Sequence, residues 1–105
     1  DLVVADVPCS GSGTWRRTPD AKWRLTPAHL AGLQKTQAQI LDTAAAHVAP
    51  GGALAYMTCS LLRAENRAQT AAFLHRAPEF ALLTERIFTP LDASDGFYLC
   101  LMQRR

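Results

Sequence analysis

Apolar positions along the chain fall into short continuous runs and longer helical stripes that alternate. Leu2 to Val7 is apolar throughout except at Asp6. A short, Val-rich, non-alternating run of this kind predicts a strand buried on both faces, as in a parallel sheet. Pro8 ends it. Cys9-Ser10-Gly11-Ser12-Gly13-Thr14 reads as a small-residue turn, and a basic, aromatic loop runs from Trp15 to Leu25. Thr26-Pro27 then reads as an N-cap followed by Pro in the first helical position. Leu30, Leu33, Ile40, Leu41, Ala44 and Val48 share one helical stripe, with Gln37 as its interruption. Pro50-Gly51-Gly52 stops that helix.

Ala53 to Thr58 is a second short apolar run and leads into Cys59-Ser60. From about Ala64 to His75 the spacing is helical again, with Ala68, Ala71, Ala72 and Phe73 as the expected buried face. Glu65-Asn66 falls in the first turn, where an acidic residue is ordinary dipole matching. Pro78 closes the segment. Phe80 to Thr84 and Phe97 to Met102 read as two more strands. The order is β-α-β-α-β-β, which argues for an α/β fold whose first strands are parallel. The last two strands lack an intervening helix and are expected to pair antiparallel.

The 105 residues, 49% hydrophobic and 19% charged with a net charge of +2, suit one compact domain and argue against extended disorder. No apolar run approaches the roughly 18 residues of a membrane-spanning helix, and no basic-then-apolar leader is visible. Three Cys cannot all pair within the chain, and none forms a C-x-x-C pair. No metal site is expected from the scattered Cys and His residues. A reduced, cytoplasmic protein fits this usage better than a secreted scaffold. Asp1 stands where an initiator Met would be, directly before an apolar run, so a piece of a longer protein is expected.

Ligands of open α/β sheets bind beyond the carboxyl ends of the strands. Two predicted strands end there in a thiol, Asp6-Val7-Pro8-Cys9 and Thr58-Cys59-Ser60. If the strands are neighbours, both thiols lie on one rim. A single Cys of this kind is more often a small buried hydrophobe; two at successive strand ends fit that reading less well. Cys100, between Leu99 and Leu101, reads as core. Asp6 would be costly to bury alone, and reads either as a turn-forming carboxylate or as an acceptor aimed at a ligand. The Gly11–Arg17 loop misses the P-loop Lys and the third Gly of the dinucleotide pattern. It also misses, by one position, the Arg of a phosphatase loop. Trp15, Arg16, Arg17, Lys22, Trp23 and Arg24 form a cluster suited to phosphate contacts and base stacking on single-stranded nucleic acid, or to a solvated loop anchored by its Trp residues.

Together these segments resemble a known family. Asp6-Val7-Pro8-Cys9-Ser10-Gly11-Ser12-Gly13-Thr14-Trp15-Arg16-Arg17 is similar to the D-A-P-C-S-G-x-G-x-x-R-R motif of RNA (cytosine-5) methyltransferases. Pro19-Asp20-Ala21-Lys22-Trp23 resembles its P-D-I-K-W segment. Gly51-Gly52 with Tyr56-Met57-Thr58-Cys59-Ser60 resembles G-G-x-L-x-Y-x-T-C-S. Glu65-Asn66 and Asp95-Gly96-Phe97 resemble the E-N and D-G-F-F that follow. Val7 and Tyr98 are mild departures. The subgroup most resembled is the bacterial small-subunit ribosomal RNA methyltransferases of the RsmB type.

The resemblance implies a seven-stranded Rossmann-like domain, with residues 1–105 as the C-terminal portion of a catalytic domain that supplies its last four strands. It implies methyl transfer from S-adenosylmethionine to C5 of cytosine in RNA, ribosomal RNA in this subgroup. Cys59 would add to C6 and make C5 nucleophilic, and Cys9 would assist breakdown of the adduct. Asp6 and Pro8 would serve the cofactor and base pocket. Arg16, Arg17, Lys22, Trp23 and Arg24 would hold an RNA strand whose target base is out of its stack.

The family's Gly-rich cofactor loop is not in this sequence, so weak cofactor binding and no turnover by the chain alone are expected. The first strand would present an open edge, so self-association through it is expected. The alternative is a non-catalytic RNA-binding or assembly module. A Cys-dependent hydrolase would need a His base beside its thiol, and His29, His47 and His75 fall in helical stretches.

Overall fold

In a computed structural model, residues 2–10, 26–88 and 96–105 are described here. The elements are β1 (Leu2–Asp6), α1 (Pro27–Ala46), β2 (Ala53–Thr58), a 3-10 turn (Arg63–Glu65), α2 (Arg67–Arg76), β3 (Phe80–Phe88) and β4 (Phe97–Arg104). The four strands form one sheet in the order β1-β2-β4-β3. β1 and β2 are parallel, while β4 is antiparallel to both β2 and β3. The expected α/β order and the antiparallel final pair are both present. This sheet order is consistent with part of a Rossmann-like fold.

Local chemistry accounts for the boundaries. Thr26 Oγ1 accepts a hydrogen bond from His29 N at 3.1 Å and caps α1, with Pro27 inside its first turn. Beyond the helix, Gly51 has φ of 84°, a left-handed conformation that favours Gly. Gly51 N donates to Arg104 O at 2.8 Å, and Arg104 N to Gly52 O at 2.9 Å, tying this turn to the end of β4. β3 and β4 run further than the sequence pattern suggests, to Phe88 and Arg104, because each is paired along its length with the other. A register shift between Leu82 and Thr84 interrupts that ladder.

The core lies on one face of the sheet. It joins Ala5 and Val7, Leu54 and Tyr56, and Tyr98, Cys100 and Met102 to Leu41 of α1 and Phe73 of α2. The period of two along each strand selects these positions. Cys100 is fully buried, as expected, and burial pushes its thiol pKa up. Residues Leu2 and Val4, on alternate positions of β1, are 60% and 54% exposed.

Two helix faces differ from the pattern reading. Gln37 is not an interruption of the buried stripe of α1; it is fully buried beside Leu41 at the centre of that stripe. On α2 the buried residues are Gln69, Thr70 and Phe73, while Ala68, Ala71 and Ala72 are exposed. Hydrophobicity alone placed the Ala residues inward. The helix turns Gln69 and Thr70 in because each has partners there: Gln69 Nε2 donates to Gln34 O at 2.7 Å, and Thr70 Oγ1 lies 3.0 Å from Tyr98 Oη. Ala costs nothing on a solvated helix face, since its helix propensity is the highest.

Candidate active site

The β1–β2 ladder runs in parallel register from Leu2 opposite Ala53 to Asp6 opposite Met57. It ends where Val7 N donates to Met57 O at 3.1 Å. Cys9 and Cys59 each stand two residues past this last bond, so both thiol turns leave the same end of neighbouring strands. Cys59 is exposed and Cys9 half-buried, and neither is in a disulfide.

Beneath the turns lies a network of buried polar side chains. Glu65 is fully buried. Its Oε1 accepts from Ser10 Oγ at 2.5 Å and Ser60 Oγ at 2.6 Å. Its Oε2 accepts from Ser10 N at 2.7 Å and Gln37 Nε2 at 2.9 Å. A buried carboxylate is costly unless hydrogen-bonded, and four donors satisfy this one. The described ion pairs, Arg76–Asp42 and Arg67–Glu85, lie elsewhere. Gln37 Nε2 also donates to Pro8 O at 2.8 Å, and Gln37 Oε1 accepts from Gln69 Nε2 at 3.2 Å.

Asn66 completes the second turn. Its Oδ1 accepts from Thr58 Oγ1 at 2.5 Å, and its Nδ2 donates to Ser60 O at 2.8 Å. Asn66 stands at the N-cap of α2 but makes no side-chain cap bond there, because its amide is spent on these two contacts. Tyr56 Oη donates to Glu65 O at 2.6 Å. Burial first, and then the Glu65 carboxylate, push the Tyr56 phenol well above its ordinary value. Cys59 is therefore an exposed residue between two buried ones, Thr58 at 1% and Ser60 at 0% exposure, both held by side-chain hydrogen bonds. A nucleophile needs this combination of access and fixed backbone. A Cβ added to Gly96 would lie 2.8 Å from Leu61 Cδ2, so Gly96, directly before β4, packs closely against Leu61.

Both thiols that the sequence singled out are thus brought to one rim. Asp6 and Pro8 are exposed at the end of β1, so Asp6 is not a buried charge, and its carboxylate is open to accept from an amino or hydroxyl group. Arg16, Arg17, Lys22, Trp23 and Arg24 lie outside the described residues. Sequence reasoning gave Glu65 no role beyond dipole matching and its place in an E-N motif, and it missed Gln37. The available signal was a lone amide in the middle of an apolar stripe.

A sequence model described as 16S rRNA methyltransferase RsmB/F matches residues 1–102. The chain belongs to the RsmB/F family. The ribosomal RNA small subunit methyltransferase B of Vibrio cholerae is 38% identical over 112 residues, covering 100% of this chain and 26% of that protein. The protein of the same name from Salmonella arizonae is 50% identical over 82 residues, covering 78% of this chain and 19% of its own length. This RsmB/F chain therefore spans about a quarter or less of the length of these curated relatives. The crystal structure of PH0851 superimposes with a TM-score of 0.92 at 33% identity, over 99% of this chain and 26% of that one. NSun6 from Pyrococcus horikoshii, solved with SFG, shares the fold at a TM-score of 0.79 and 22% identity, over 96% of this chain and 29% of its own.

Proposed function

We propose that this RsmB/F chain is the C-terminal, thiol-bearing part of a catalytic domain that methylates C5 of cytosine in ribosomal RNA. The observation that carries the reading is the pair of Cys turns at adjoining strand ends, joined by one buried network. Cytosine C5 is a poor nucleophile. A thiol adding at C6 converts it to an enamine, one hard step split into easier ones. Cys59 is assigned as the attacking thiol because it is exposed on a fixed turn. Cys9, half-buried at the end of the neighbouring strand, assists expulsion of Cys59 once the C5 proton has left.

S-adenosylmethionine, when bound, supplies an electrophilic methyl group on its sulfonium. The RsmB/F membership and the NSun6 structure with SFG, an analogue of that cofactor, support its use. The donor set at the end of β1 fits such a ligand in part. Asp6 offers an open acceptor for an amino or hydroxyl group, and Pro8 shapes the turn between it and Cys9. Arg16, Arg17, Lys22, Trp23 and Arg24 are assigned to the RNA strand, by phosphate contact and base stacking. The protein acts in the cytoplasm, on the RNA class for which its relatives are named. The open edge of β1, with Leu2 and Val4 exposed, is assigned to self-association of the isolated chain.

The test is product analysis. A full-length family enzyme carrying this segment in place of its own should convert cytidine in small-subunit RNA to 5-methylcytidine, and Cys59→Ala should abolish it. Methyl groups on another atom, or normal turnover with Cys59→Ala, would refute the reading. The 105-residue chain alone is expected to give no transfer above its own Cys59→Ala control.

A further inference from the structure

We propose that Glu65 is the positioning residue of the two-thiol site, a strut that holds the Cys9 and Cys59 turns in one fixed relation. The inference deepens the two-thiol reading above and rests on it for its catalytic consequence. Its geometric content stands on the hydrogen bonds alone. Ser10, directly after Cys9, gives Glu65 both its N–H and its hydroxyl, at 2.7 and 2.5 Å. Ser60, directly after Cys59, gives Glu65 its hydroxyl at 2.6 Å. Gln37 ties the same carboxylate at 2.9 Å to the carbonyl of Pro8, directly before Cys9, at 2.8 Å. One side chain thus reaches the backbone or side chain next to each thiol, and it comes from a different element than either strand.

The two oxygens of Glu65 do different work. Oε2 meets two N–H donors, which cannot become acceptors. Oε1 meets two hydroxyls, which can rotate to accept instead. A Gln amide can therefore enter with its oxygen on the N–H side and its NH₂ on the hydroxyl side. Glu65→Ala removes all four contacts, whereas Ser60→Ala removes the Glu65 contact of the Cys59 turn, together with the 3.0 Å bond from Leu62 N to the same hydroxyl, and leaves the Cys9 turn's contacts in place. A nucleophile and its partner misplaced by about 1 Å can lose on the order of 100-fold in rate.

The experiment has two arms. In the first, the 105-residue chain is treated with a short bis-alkylating reagent that joins two nearby thiols as thioethers with loss of two halides. Cys9–Cys59 bridging is read by peptide mass spectrometry, with single alkylation of Cys59 as the reactivity control. Bridging should fall at least about tenfold in Ser60→Ala and Glu65→Ala relative to single alkylation, with Glu65→Gln intermediate.

In the second arm, the full-length family enzyme carrying this segment is assayed for methyl transfer. Glu65→Ala should lower kcat on the order of 100-fold with little change in the KM for RNA, and Glu65→Gln should recover part of the loss. Unchanged bridging in Ser60→Ala, a variant with one hydroxyl removed, overturns the proposal even if Glu65→Ala fails to fold. A loss of bridging without any Cys59-dependent methylation in the unmodified segment keeps the strut and refutes the cytosine reading. Normal Cys59-dependent methylation with Glu65→Ala refutes the strut.

Discussion

Gln37→Leu separates the pattern of the sequence from the structure it adopts. By hydrophobic period alone, Leu at position 37 completes the apolar stripe of α1 and should strengthen the core. The structure predicts the opposite. The substitution removes the 2.9 Å bond to the Glu65 carboxylate, the 2.8 Å bond to Pro8 O and the 3.2 Å bond from Gln69. A hydrogen bond to a charged group contributes about 1.5–3 kcal/mol and a neutral one about 0.5–1.5 kcal/mol, giving a loss of about 2.5–6 kcal/mol. Burying a Leu side chain at the same site returns about 1.5–3 kcal/mol. The net is a destabilisation near 2 kcal/mol, which lowers the Tm of a domain this size by roughly 8–16 °C. Thermal unfolding by circular dichroism measures it directly. Because Gln37 and Gln69 share a bond, Gln69→Leu combined with Gln37→Leu should cost less than the two separately. An unchanged or raised Tm for Gln37→Leu would refute the idea that the buried network outweighs apolar packing here.

The chain has two tyrosines, Tyr56 and Tyr98, both fully buried. Burial raises both phenols above the ordinary value of 10, helped by Glu65 for Tyr56 and by the hydrogen bond to Glu85 for Tyr98. The unfolded chain releases these protons near pH 10 and the folded chain does not, so stability holds below about pH 10 and falls above it. Phenolate absorbance should therefore appear only together with loss of the circular dichroism signal; a titration near pH 10 in folded protein would contradict this. Replacing Arg16, Arg17, Lys22 and Arg24 by Gln should weaken single-stranded RNA binding and flatten its logarithmic salt dependence by about 2–3, from roughly 0.7 per phosphate contact. An unchanged slope would remove the loop from the RNA interface. The exposed apolar positions of β1 predict concentration-dependent self-association of the isolated chain in sedimentation velocity, reduced by Val4→Lys; a clean monomer at high concentration would contradict it.

The architecture was legible because each element carries a local signal. A short apolar run ended by Pro8 and a Thr26-Pro27 start mark the end of β1 and the start of α1. Pro50-Gly51-Gly52 places the helix end too late: α1 stops at Ala46, and Val48, expected on its stripe, is buried beyond the helix. The neighbouring thiols were legible too, since a helix between two apolar runs implies a parallel pair with both carboxyl ends on one rim. What the pattern concealed was polar and long-range. Glu65 meets Ser10 across 55 positions of chain, and no periodicity reports such a contact. A buried amide such as Gln37 looks like a flaw in a stripe until its partners are known. The same blindness turned the face of α2, where hydrogen-bonded Gln69 and Thr70 displaced three Ala residues from the interior.

The central claim is that Cys59 bonds to the RNA base and Cys9 releases it. A Cys9→Ala variant of the full-length family enzyme carrying this segment, incubated with small-subunit RNA and methyl donor, tests it most directly. The account predicts a protein–RNA adduct stable to denaturing gel electrophoresis, mapped to Cys59 and absent when Cys59 is also replaced by Ala. No adduct with folded, RNA-binding Cys9→Ala protein, or an adduct that persists without Cys59, would contradict it.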